Sequence, residues 1–375
     1  MVLCLGGAAI AQAEEPRPNT DPPFNTIHAV EMAGATQPHL AIDESGIVHL
    51  VYGVSDTGAM YCLSSKNGGA SFSPPILIAQ IPDLMVGMRA GPRIAVTTKS
   101  IIVMAGGGPS KNFMAWRSTD GGTTWGQPVT LNTVESPGNE GLHDLAAHKD
   151  NALAVWLDMR NDAASLYSAR SLDGGKTWSE QLLYQSPSGS ICECCHPSVS
   201  FSPKGTAYVM WRNHLEGKRD MHLLTSKDGG HTWDQAVKLG EDTWVLHACP
   251  MAGGAIAAFD DKPPTTIWRR KGTIYVSEPG KRELMLGEGS DPWIAPGPGG
   301  WYAVWKNSDG RIGMASEKGG AWYEGGIPLR PTITVAQEGG YPVIAGRPNG
   351  PVITAWETED GIFATRLDPT KKPKK

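Results

Sequence analysis

Alternating hydrophobic and polar residues recur along the chain in short runs broken by turn residues. Six stretches share one order: a turn, an alternating strand, a break, and a second apolar strand that usually ends in an aromatic residue. They are residues 38–52, 92–106, 142–156, 197–211, 292–305 and 342–356. A seventh, longer stretch begins near Pro250 and reaches Trp268. Period-two alternation is typical of β-strands, so the pattern predicts repeated antiparallel strand pairs.

Further apolar segments predict an outer strand for each repeat except the last. These candidates are residues 76–79, 129–131, 182–184, 237–239, 284–286 and 326–329. One more candidate strand, at residues 25–32, precedes the first repeat. If that strand completes the last sheet, the sheets close into a ring and no sheet edge stays open.

A second repeat follows the third predicted strand of several units. Segments of the form Ser-x-Asp-x-Gly-x-Thr-Trp occur at residues 118–125, 171–178 and 226–233, and their aspartates are 53 and 55 residues apart. Residues 65–72 form a weaker copy with Asn67 at the aspartate position, and residues 316–322 resemble a shortened one. An Asp side chain that accepts hydrogen bonds from turn amides, with glycines at positive φ, predicts a hairpin turn.

These segments resemble the Asp-box, or BNR repeat, of the sialidase superfamily and other β-propellers, and the resemblance spans most of the chain. It implies an all-β fold in which each box joins the third and fourth strands of a blade, on the side away from the ligand site. The inner-strand pairs predict a seven-bladed β-propeller, with the six-bladed fold of the family's sialidases as the alternative. We expect one domain over residues 14–370, closed by a strand at about residues 25–32.

The composition agrees with this fold and excludes several classes of partner. The chain has 46 Gly and 29 Pro among 375 residues, which disfavours a helical architecture. Its formal net charge of -5 and its pI of about 6.1 exclude the broad positive field of a nucleic-acid-binding protein. The basic run at residues 371–375 is a short tail, and no stretch approaches the ~18 apolar residues of a membrane span. We therefore expect no nucleic-acid partner and no membrane span.

The N-terminal segment predicts export. Residues 2–10 are apolar, and Ala11-Gln12-Ala13 fits a small-x-small cleavage site, so residues 1–13 are interpreted as a signal peptide. The segment does not have the usual positively charged leader, and an ordinary disordered N-terminus is the alternative. Export implies a secreted or periplasmic protein.

In a meander blade the start of the first strand and the end of the second lie on one face, so these residues converge around a central mouth. The candidate ligand-binding residues there are Arg93, His143, Arg212, Arg269 and Tyr341. Because a guanidinium binds a carboxylate, sulfate or phosphate group bidentately, they predict a site for an anionic small molecule or glycan. A protein partner at the mouth fits the same surface. The alternative is that these arginines form ordinary rim ion pairs with Asp158, Asp220 and Glu357.

The resemblance also implies candidate catalytic residues. Sialidases of the superfamily hold the sialic-acid carboxylate with three arginines, use a tyrosine paired with a glutamate as nucleophile, and use an aspartate as acid and base. Here Tyr341 is the candidate nucleophile, Glu140 or Glu357 its partner, and Asp158 the acid. The family's Arg-Ile-Pro segment is absent. We therefore expect a ligand-binding or assembly module, with an exo-alpha-sialidase-type glycoside hydrolase as the alternative.

Three of the cysteines lie in Cys192-Glu193-Cys194-Cys195-His196, at the start of the fourth unit. Cys249-Pro250 lies at the equivalent turn of the fifth unit, so a ring makes the two segments neighbours. The Cys-x-Cys-Cys segment with the later Cys-Pro also resembles a group of exported sialidase-like proteins of no settled activity. In an oxidising compartment, the first hypothesis is a disulfide between Cys249 and one of the triplet.

Two other hypotheses concern the same segment and give a second alternative function, a periplasmic copper, metal or haem protein. Copper or zinc would be bound by the thiolate, thioether and imidazole groups of Cys192, Cys194, Cys195, His196, His247, Cys249 and Met251. The segment Cys192-x-x-Cys195-His196 also matches the attachment motif for c-type haem, which the extra thiol of Cys194 disfavours. No cofactor is firmly implied. The alternation of its strand places Cys62 in the core, so we expect Cys62 to be a buried free thiol.

Overall fold

A computed structural model describes residues 24–135, 141–160, 163–187, 189–318 and 333–367. These residues form 27 β-strands and no α-helix, which confirms the all-β prediction for this part of the chain. Nowhere in these ranges is there a helix long and apolar enough to cross a membrane. The predicted signal at residues 1–13, the candidate strand at 326–329, Glu140 and the basic tail at 371–375 lie outside the described residues.

The first strand, β1 (Ile27–Glu31), belongs to the last sheet. The next four sheets each contain four consecutive antiparallel strands. The first consists of β2 (Ala35–Ile42), β3 (Val48–Val54), β4 (Ala59–Ser65) and β5 (Ile76–Gln80). The second consists of β6 (Arg93–Val96), β7 (Ile101–Gly107), β8 (Asn112–Ser118) and β9 (Val129–Thr130). The third consists of β10 (His143–His148), β11 (Asn151–Asp158), β12 (Ser165–Ser171) and β13 (Ser179–Tyr184). The fourth consists of β14 (Ser198–Phe201), β15 (Ala207–Arg212), β16 (Met221–Ser226) and β17 (Val237–Lys238).

A seven-stranded sheet follows. Its strands are β18 (Gly254–Ala257), β19 (Thr265–Arg270), β20 (Thr273–Ser277), β21 (Leu284–Gly297), β22 (Gly300–Asn307), β23 (Ile312–Ser316) and β24 (Ile333–Ala336). The first part of β21 pairs with β20 and the second part with β22. The sheet therefore divides into two four-stranded units that share β21. The outer strand of the second unit is β24, which lies C-terminal to the candidate strand at 326–329.

The last sheet contains β25 (Gly340–Gly346), β26 (Val352–Thr358) and β27 (Gly361–Arg366), and β1 pairs antiparallel with β27. The inner strands β2, β6, β10, β14, β18, β21 and β25 contact one another in this order, and β25 contacts β2. They form a closed ring. We interpret the pairing as seven four-stranded blades, and we number the blades from one to seven along the chain.

A left-handed residue marks the start of most inner strands. Positive φ angles occur at Gln37, Gly91, Gly141, Asp291 and Tyr341. Register shifts follow Thr36, Ser290 and Gly340, so three of these positions lie in β-bulges. In blade five the left-handed residue is Met251, with φ of 48°. Met251 therefore occupies this position in place of Cys249.

The predicted Asp-box hairpins are confirmed. In the box of blade three, Asp173 Oδ1 accepts hydrogen bonds from the amides of Lys176 at 3.0 Å and Thr177 at 2.9 Å. Asp173 Oδ2 accepts from the Thr177 hydroxyl at 2.6 Å. A Cβ added at Gly175 would meet Ile102, at the start of the second strand of blade two. Because second strands end at the mouth, the boxes lie on the opposite face.

Candidate functional site

Two adjoining cavities open on the mouth face. One has a volume of about 700 Å³ and lies among blades one, six and seven. The other has a volume of about 570 Å³ and lies among blades five, six and seven. Both are lined by Lys306 and Gly340, so they form one interrupted groove. This groove lies beside the axis of the ring rather than on it.

We call the smaller cavity the mouth pocket. Its charged and aromatic lining residues are Arg269, Lys271, Glu288, Asp291, Lys306 and Tyr341. Three cations thus face two carboxylates, although the net charge of the whole chain is negative. Arg269 Nε is buried and makes no hydrogen bond within the described part of the chain. A buried guanidinium N–H without a partner is unusual, because such a group loses its bond to water. Arg269 also lines the pocket, so the pocket offers positive charge to an anion.

Two predicted site residues, Arg269 and Tyr341, meet in the mouth pocket. Burial raises the pKa of Tyr341, and the charges of Asp291 and Glu357 raise it further. The Glu357 carboxylate accepts hydrogen bonds from the Thr36 hydroxyl at 2.7 Å and from the Gln37 amide at 2.6 Å. Within the described residues, no hydrogen bond joins Glu357 to the Tyr341 hydroxyl. The Glu357 carboxylate therefore bonds to blade one, and its role toward Tyr341 stays a prediction.

Asp158 lies apart from this pocket, in an ion pair of blade three. Its side chain is fully buried and accepts a hydrogen bond from Trp156 Nε1 at 2.9 Å. Arg160 donates to both carboxylate oxygens, at 2.9 and 2.7 Å, and also pairs with Glu180. These bonds satisfy the carboxylate within its own blade, and its partner is Arg160 rather than Arg93, Arg212 or Arg269.

The centre of the mouth is closed by the loop at residues 82–92, which we call the Arg89 loop. Arg89 is 3% exposed, and its Nη2 donates to the backbone oxygen of Asp291 at 2.7 Å and to that of Pro342 at 3.2 Å. Its guanidinium lies 5.1 Å from the centroid of Trp293 and 5.5 Å from that of Tyr341. Sequence reasoning missed Arg89. The only local signal is the pair of glycines, Gly87 and Gly91, which flank it at positive φ.

Beneath this loop, two predicted ligand residues belong to a buried cluster. Arg93 is 2% exposed, donates to the Arg89 carbonyl, and has its Nε 3.8 Å from Asp144 Oδ1. Burial raises the pKa of Asp144 to about 6 and lowers that of His143 to about 4. His143 is fully buried, with Nδ1 2.7 Å from the Gly141 oxygen. Arg93 and His143 are both buried, and their ligand-binding role stays a prediction.

Arg212 is likewise bound to the chain itself. It is 1% exposed and lies at the end of β15. Its three nitrogens donate to the backbone oxygens of Ala252 at 2.9 Å, Arg219 at 2.6 Å and Arg269 at 2.8 Å. The third bond connects Arg212 to the backbone of the residue that lines the mouth pocket. Arg212 thus ties blade four to blade five and positions Arg269.

A disulfide joins Cys194 to Cys249, with their Cα atoms 6.3 Å apart, which confirms the predicted disulfide. Cys192 and Cys195 are free thiols and are 0% and 1% exposed. Cys192 Sγ lies 2.7 Å from Cys195 Sγ and 3.8 Å from Cys194 Sγ. We call these four residues the sulfur cluster. The fifth described cysteine, Cys62, is a buried free thiol whose pKa is raised to about 12 by burial.

Only some of the predicted metal-ligating residues lie close to one another. The sulfurs of Cys192, Cys194 and Cys195 lie within 4.8 Å of one another, and no further His, Cys, Asp or Glu side chain among the described residues belongs to this group. The buried ring of His196 stacks on Trp293 with centroids 5.6 Å apart, while His247 and Met251 are exposed. The sequence alignment grouped these residues by turn position, but their side chains point to different surroundings.

Another cavity, of about 1070 Å³, lies on the box face. It is lined by the turns between the first and second strands of several blades, including Glu44, Asp260 and Arg347. Lys262 Nζ pairs with Glu317 Oε1 at 2.6 Å at its edge. Sequence reasoning missed this cavity because the turns between the first and second strands, unlike the boxes on the same face, share no motif.

Residues 100–282 match the family model of the BNR repeat-like domain. No curated protein matches the sequence. The structure is similar to the Hadza microbial sialidase Hz136, with a TM-score of 0.52 and 16% identity over 89% of this chain and 65% of that one. It is also similar to a variant of NanB sialidase from Streptococcus pneumoniae, with a TM-score of 0.52 and 12% identity over 95% of this chain and 71% of that one.

An alpha-L-arabinanase from Penicillium chrysogenum, complexed with arabinobiose, has a TM-score of 0.49 and 13% identity over 89% of this chain and 93% of that one. This chain thus spans just under two thirds of the Hadza sialidase. At such identities, the likeness to the two sialidases establishes the fold and leaves the activity open. The predicted BNR-repeat β-propeller is confirmed.

Proposed function

We propose that this chain, which carries a BNR repeat-like domain in a β-propeller, is an exported module that binds an anionic glycan or small anion in the mouth pocket without cleaving it. The pattern of residues 1–13 and the Cys194–Cys249 disulfide support export, because disulfides persist in oxidising compartments. The ligand contributes a carboxylate or sulfate group.

The observation that carries the proposal is the buried, unpartnered Arg269 Nε beside two lysines. A guanidinium next to an anion gives a charge-assisted hydrogen bond, which is shorter and stronger than a neutral one. Lys271 and Lys306 add positive charge from the turn after β19 and from the end of β22. The Tyr341 ring adds an apolar wall against which a sugar ring can pack.

The size of the pocket and the related folds point to a sugar. A cavity of about 570 Å³ lies within the range of small-molecule sites. Two structures with similar folds are sialidases, whose name states action on sialic acid, a carboxylated sugar. We therefore choose a sialylated oligosaccharide as the first probe.

The geometry favours binding over hydrolysis. A retaining sialidase mechanism needs a tyrosine that a carboxylate activates, and here burial and nearby carboxylates raise the pKa of Tyr341. Glu357 is engaged by Thr36 and Gln37, and Asp158 by Arg160. Of the three candidate arginines, Arg93 and Arg212 are bound to backbone oxygens. Arg93 Nε, like Arg269 Nε, has no hydrogen-bond partner among the described residues, but the Arg93 side chain is buried away from the mouth pocket, whereas Arg269 lines it.

Calorimetry with a sialylated trisaccharide and its neutral parent tests this proposal. We expect tighter binding of the sialylated sugar, weakened by added salt, and a loss of about tenfold in Arg269→Gln, as expected for one charge-assisted hydrogen bond. Arg282→Gln is the control, because Arg282 is an exposed arginine of the turn that replaces the box in blade five. Equal binding of both sugars, or an unchanged affinity in Arg269→Gln, would contradict the proposal.

A further inference from the structure

The sulfur cluster places two thiols against a disulfide. Cys192 and Cys195 are enclosed, whereas Cys194 is half-buried and Cys249 is exposed. Cys192 Sγ lies 2.7 Å from Cys195 Sγ, closer than the ~3.7 Å that separates two thiolates on one tetrahedral zinc with 2.3 Å bonds. The spacing of Cys192 and Cys195 therefore favours a sulfur–sulfur bond between them over a shared metal ion.

We propose that Cys192, Cys195, Cys194 and Cys249 form a thiol–disulfide exchange site, in which a buried dithiol passes two electrons through the Cys194–Cys249 disulfide to an external disulfide. The proposal is independent of the mouth pocket. It assigns to the Cys-x-Cys-Cys segment a redox activity in addition to the structural role of its disulfide.

The exchange balances within the chain. Cys192 loses its proton to solvent, and its thiolate attacks Cys194 Sγ, which lies 3.8 Å away. A Cys192–Cys194 bond forms, the Cys194–Cys249 bond breaks, and Cys249 leaves as a thiolate that takes up a proton. Cys195 then loses its proton and attacks Cys192 Sγ, and Cys194 leaves as a thiol. The products are a Cys192–Cys195 disulfide and the free thiols of Cys194 and Cys249.

An external disulfide completes the reaction. The Cys249 thiolate attacks it and releases one thiol, and Cys194 then attacks Cys249 and releases the second thiol. The Cys194–Cys249 disulfide is restored, and the net change is oxidation of Cys192 and Cys195 with reduction of the external disulfide to two thiols. Only Cys249 needs to be reached from solvent, and it is the exposed member of the cluster.

The surroundings suit these roles. Hydrogen bonding from Cys195, together with the positive charges of Arg212 and Arg219, outweighs burial and lowers the pKa of Cys192 to about 7. A thiolate is the attacking form, so Cys192 is the member prepared to start the exchange. Val245 and Met251 near Cys249 are exposed by 56% and 48%, which offers an apolar surface to an incoming disulfide.

Maleimide labelling of the folded full chain tests the internal step. The sample is first brought to four thiols per full chain, counted in denaturant, which corresponds to Cys4 of the predicted signal segment and to Cys62, Cys192 and Cys195. A label on Cys4 is mapped separately and is not counted. A bulky polyethylene-glycol maleimide is then added under native conditions, and the labelled residue is mapped by mass spectrometry. We expect labelling of Cys249 with a Cys192–Cys195 disulfide in the product, and two thiols released from added oxidised glutathione in the parallel assay.

Three variants distinguish labelling that follows thiol–disulfide exchange from labelling of a thiol that is simply exposed to solvent. Cys192→Ser cannot start the exchange, and we expect labelling of Cys249 to fall by about tenfold or more. Cys195→Ser can take the first step only, so its label at Cys249 is accompanied by a Cys192–Cys194 bond. Cys62→Ser is the control and labels as the unaltered chain does. Absence of the Cys249 label, equal labelling in Cys192→Ser, direct labelling of Cys192, or no release of glutathione would overturn the proposal.

Discussion

The guanidinium of Arg89 lies 5.1 Å from the ring centroid of Trp293, across the mouth from its own loop. A cation that faces an aromatic ring in a buried site contributes about 2 kcal/mol. Arg89 also bonds to the backbone oxygens of Asp291 and Pro342, at the bulges that begin the inner strands of blades six and seven. One side chain therefore holds the Arg89 loop over the centre of the ring.

Replacement of Arg89 by Ala should release this loop. The bonds to blades six and seven are lost, while the loop keeps the backbone bonds between Gly87 and Ala90 and those that join Pro82 and Met85 to blade two. We expect chymotrypsin to cleave residues 82–92 of Arg89→Ala several times faster than the same segment of the unaltered chain. Chymotrypsin should cleave Arg282→Ala at the same rate as the unaltered chain. Equal digestion of both variants would show that other contacts hold the loop.

The box aspartates should stabilise the fold without contributing to binding. Asp173→Ala leaves the amides of Lys176 and Thr177 without their acceptor, and we expect the melting temperature to fall by a few degrees. Asp173→Asn should lower it less, because Asn67 fills the same position in blade one and accepts from the Ser71 amide at 3.0 Å. Ligand affinity should not change. A stable variant that has lost ligand binding would disprove the structural role of the box.

Protonation of the same aspartate should lower the stability of the fold at low pH. Hydrogen bonds from Thr177, Ser171 and Lys176 outweigh burial and lower the pKa of Asp173 to about 2, below its ordinary value of 3.8. The contribution of Asp173 to stability is therefore complete above about pH 4 and is lost as the pH falls toward 2. Thermal unfolding from pH 5 to pH 2 should show a smaller loss of stability in Asp173→Ala than in the unaltered chain.

The buried histidines should make the fold acid-sensitive at a higher pH. Burial lowers the pKa of His143 from 6.5 to about 4, and it lowers the pKa values of His39 and His196 as well. The unfolded chain binds protons that the folded chain excludes, so stability is complete above about pH 6.5 and decreases toward pH 4. At pH 5 the part due to His143 is about 2 kcal/mol.

His143→Gln should reduce this loss, since an amide can still donate to the Gly141 oxygen and does not titrate. Asp144 acts in the opposite direction. Burial raises its pKa to about 6, so its contribution is complete below pH 3.8 and is lost as the pH rises through 6. Denaturant unfolding at pH 5 and pH 8 should therefore show a shallower dependence on pH in His143→Gln and a steeper one in Asp144→Asn. Equal pH dependence in both variants would contradict this assignment.

Substitutions of Arg212 and Arg269 should have different effects: the first should lower stability and the second should weaken ligand binding. Arg212→Ala leaves three backbone oxygens without donors, and we expect the free energy of unfolding to fall by about 3 kcal/mol. Arg269→Gln should leave stability nearly unchanged, because its Nε has no partner to lose. Denaturant unfolding of both variants, beside the sugar titrations, checks the difference. Reversed effects would place the ligand at Arg212 instead.

The sequence predicts those features whose partners lie close together along the chain. The box is one such feature, since Asp173 bonds to residues three and four positions away. The sequence predicts that Cys249 forms a disulfide with one of the three nearby cysteines. It does not identify Cys194 as the partner, because the three cysteines lie within four positions of one another. Arg89 was missed because it bonds to Asp291, 202 residues away, and no local pattern marks such a contact.

The alignment of strand ends placed Arg93 and Arg212 correctly near the mouth but gave no information on burial. Whether an arginine at a strand end faces solvent depends on which backbone oxygens the neighbouring blades present. Arg212 meets three of them, from Ala252, Arg219 and Arg269, and the period of the strands does not encode these neighbours.

The last prediction concerns catalysis. We expect no turnover of a fluorogenic sialoside, because the Tyr341 hydroxyl has a raised pKa and Glu357 is hydrogen-bonded to blade one. The oxocarbenium-like transition state of glycoside hydrolysis needs preorganised groups, and here two of the three candidate arginines bind backbone oxygens. Release of the fluorophore is measured for the unaltered chain, Tyr341→Phe and Arg269→Gln. Turnover at an enzyme-like rate that disappears in Tyr341→Phe would establish a hydrolase, whereas binding that persists in Tyr341→Phe and weakens in Arg269→Gln fits the binding module.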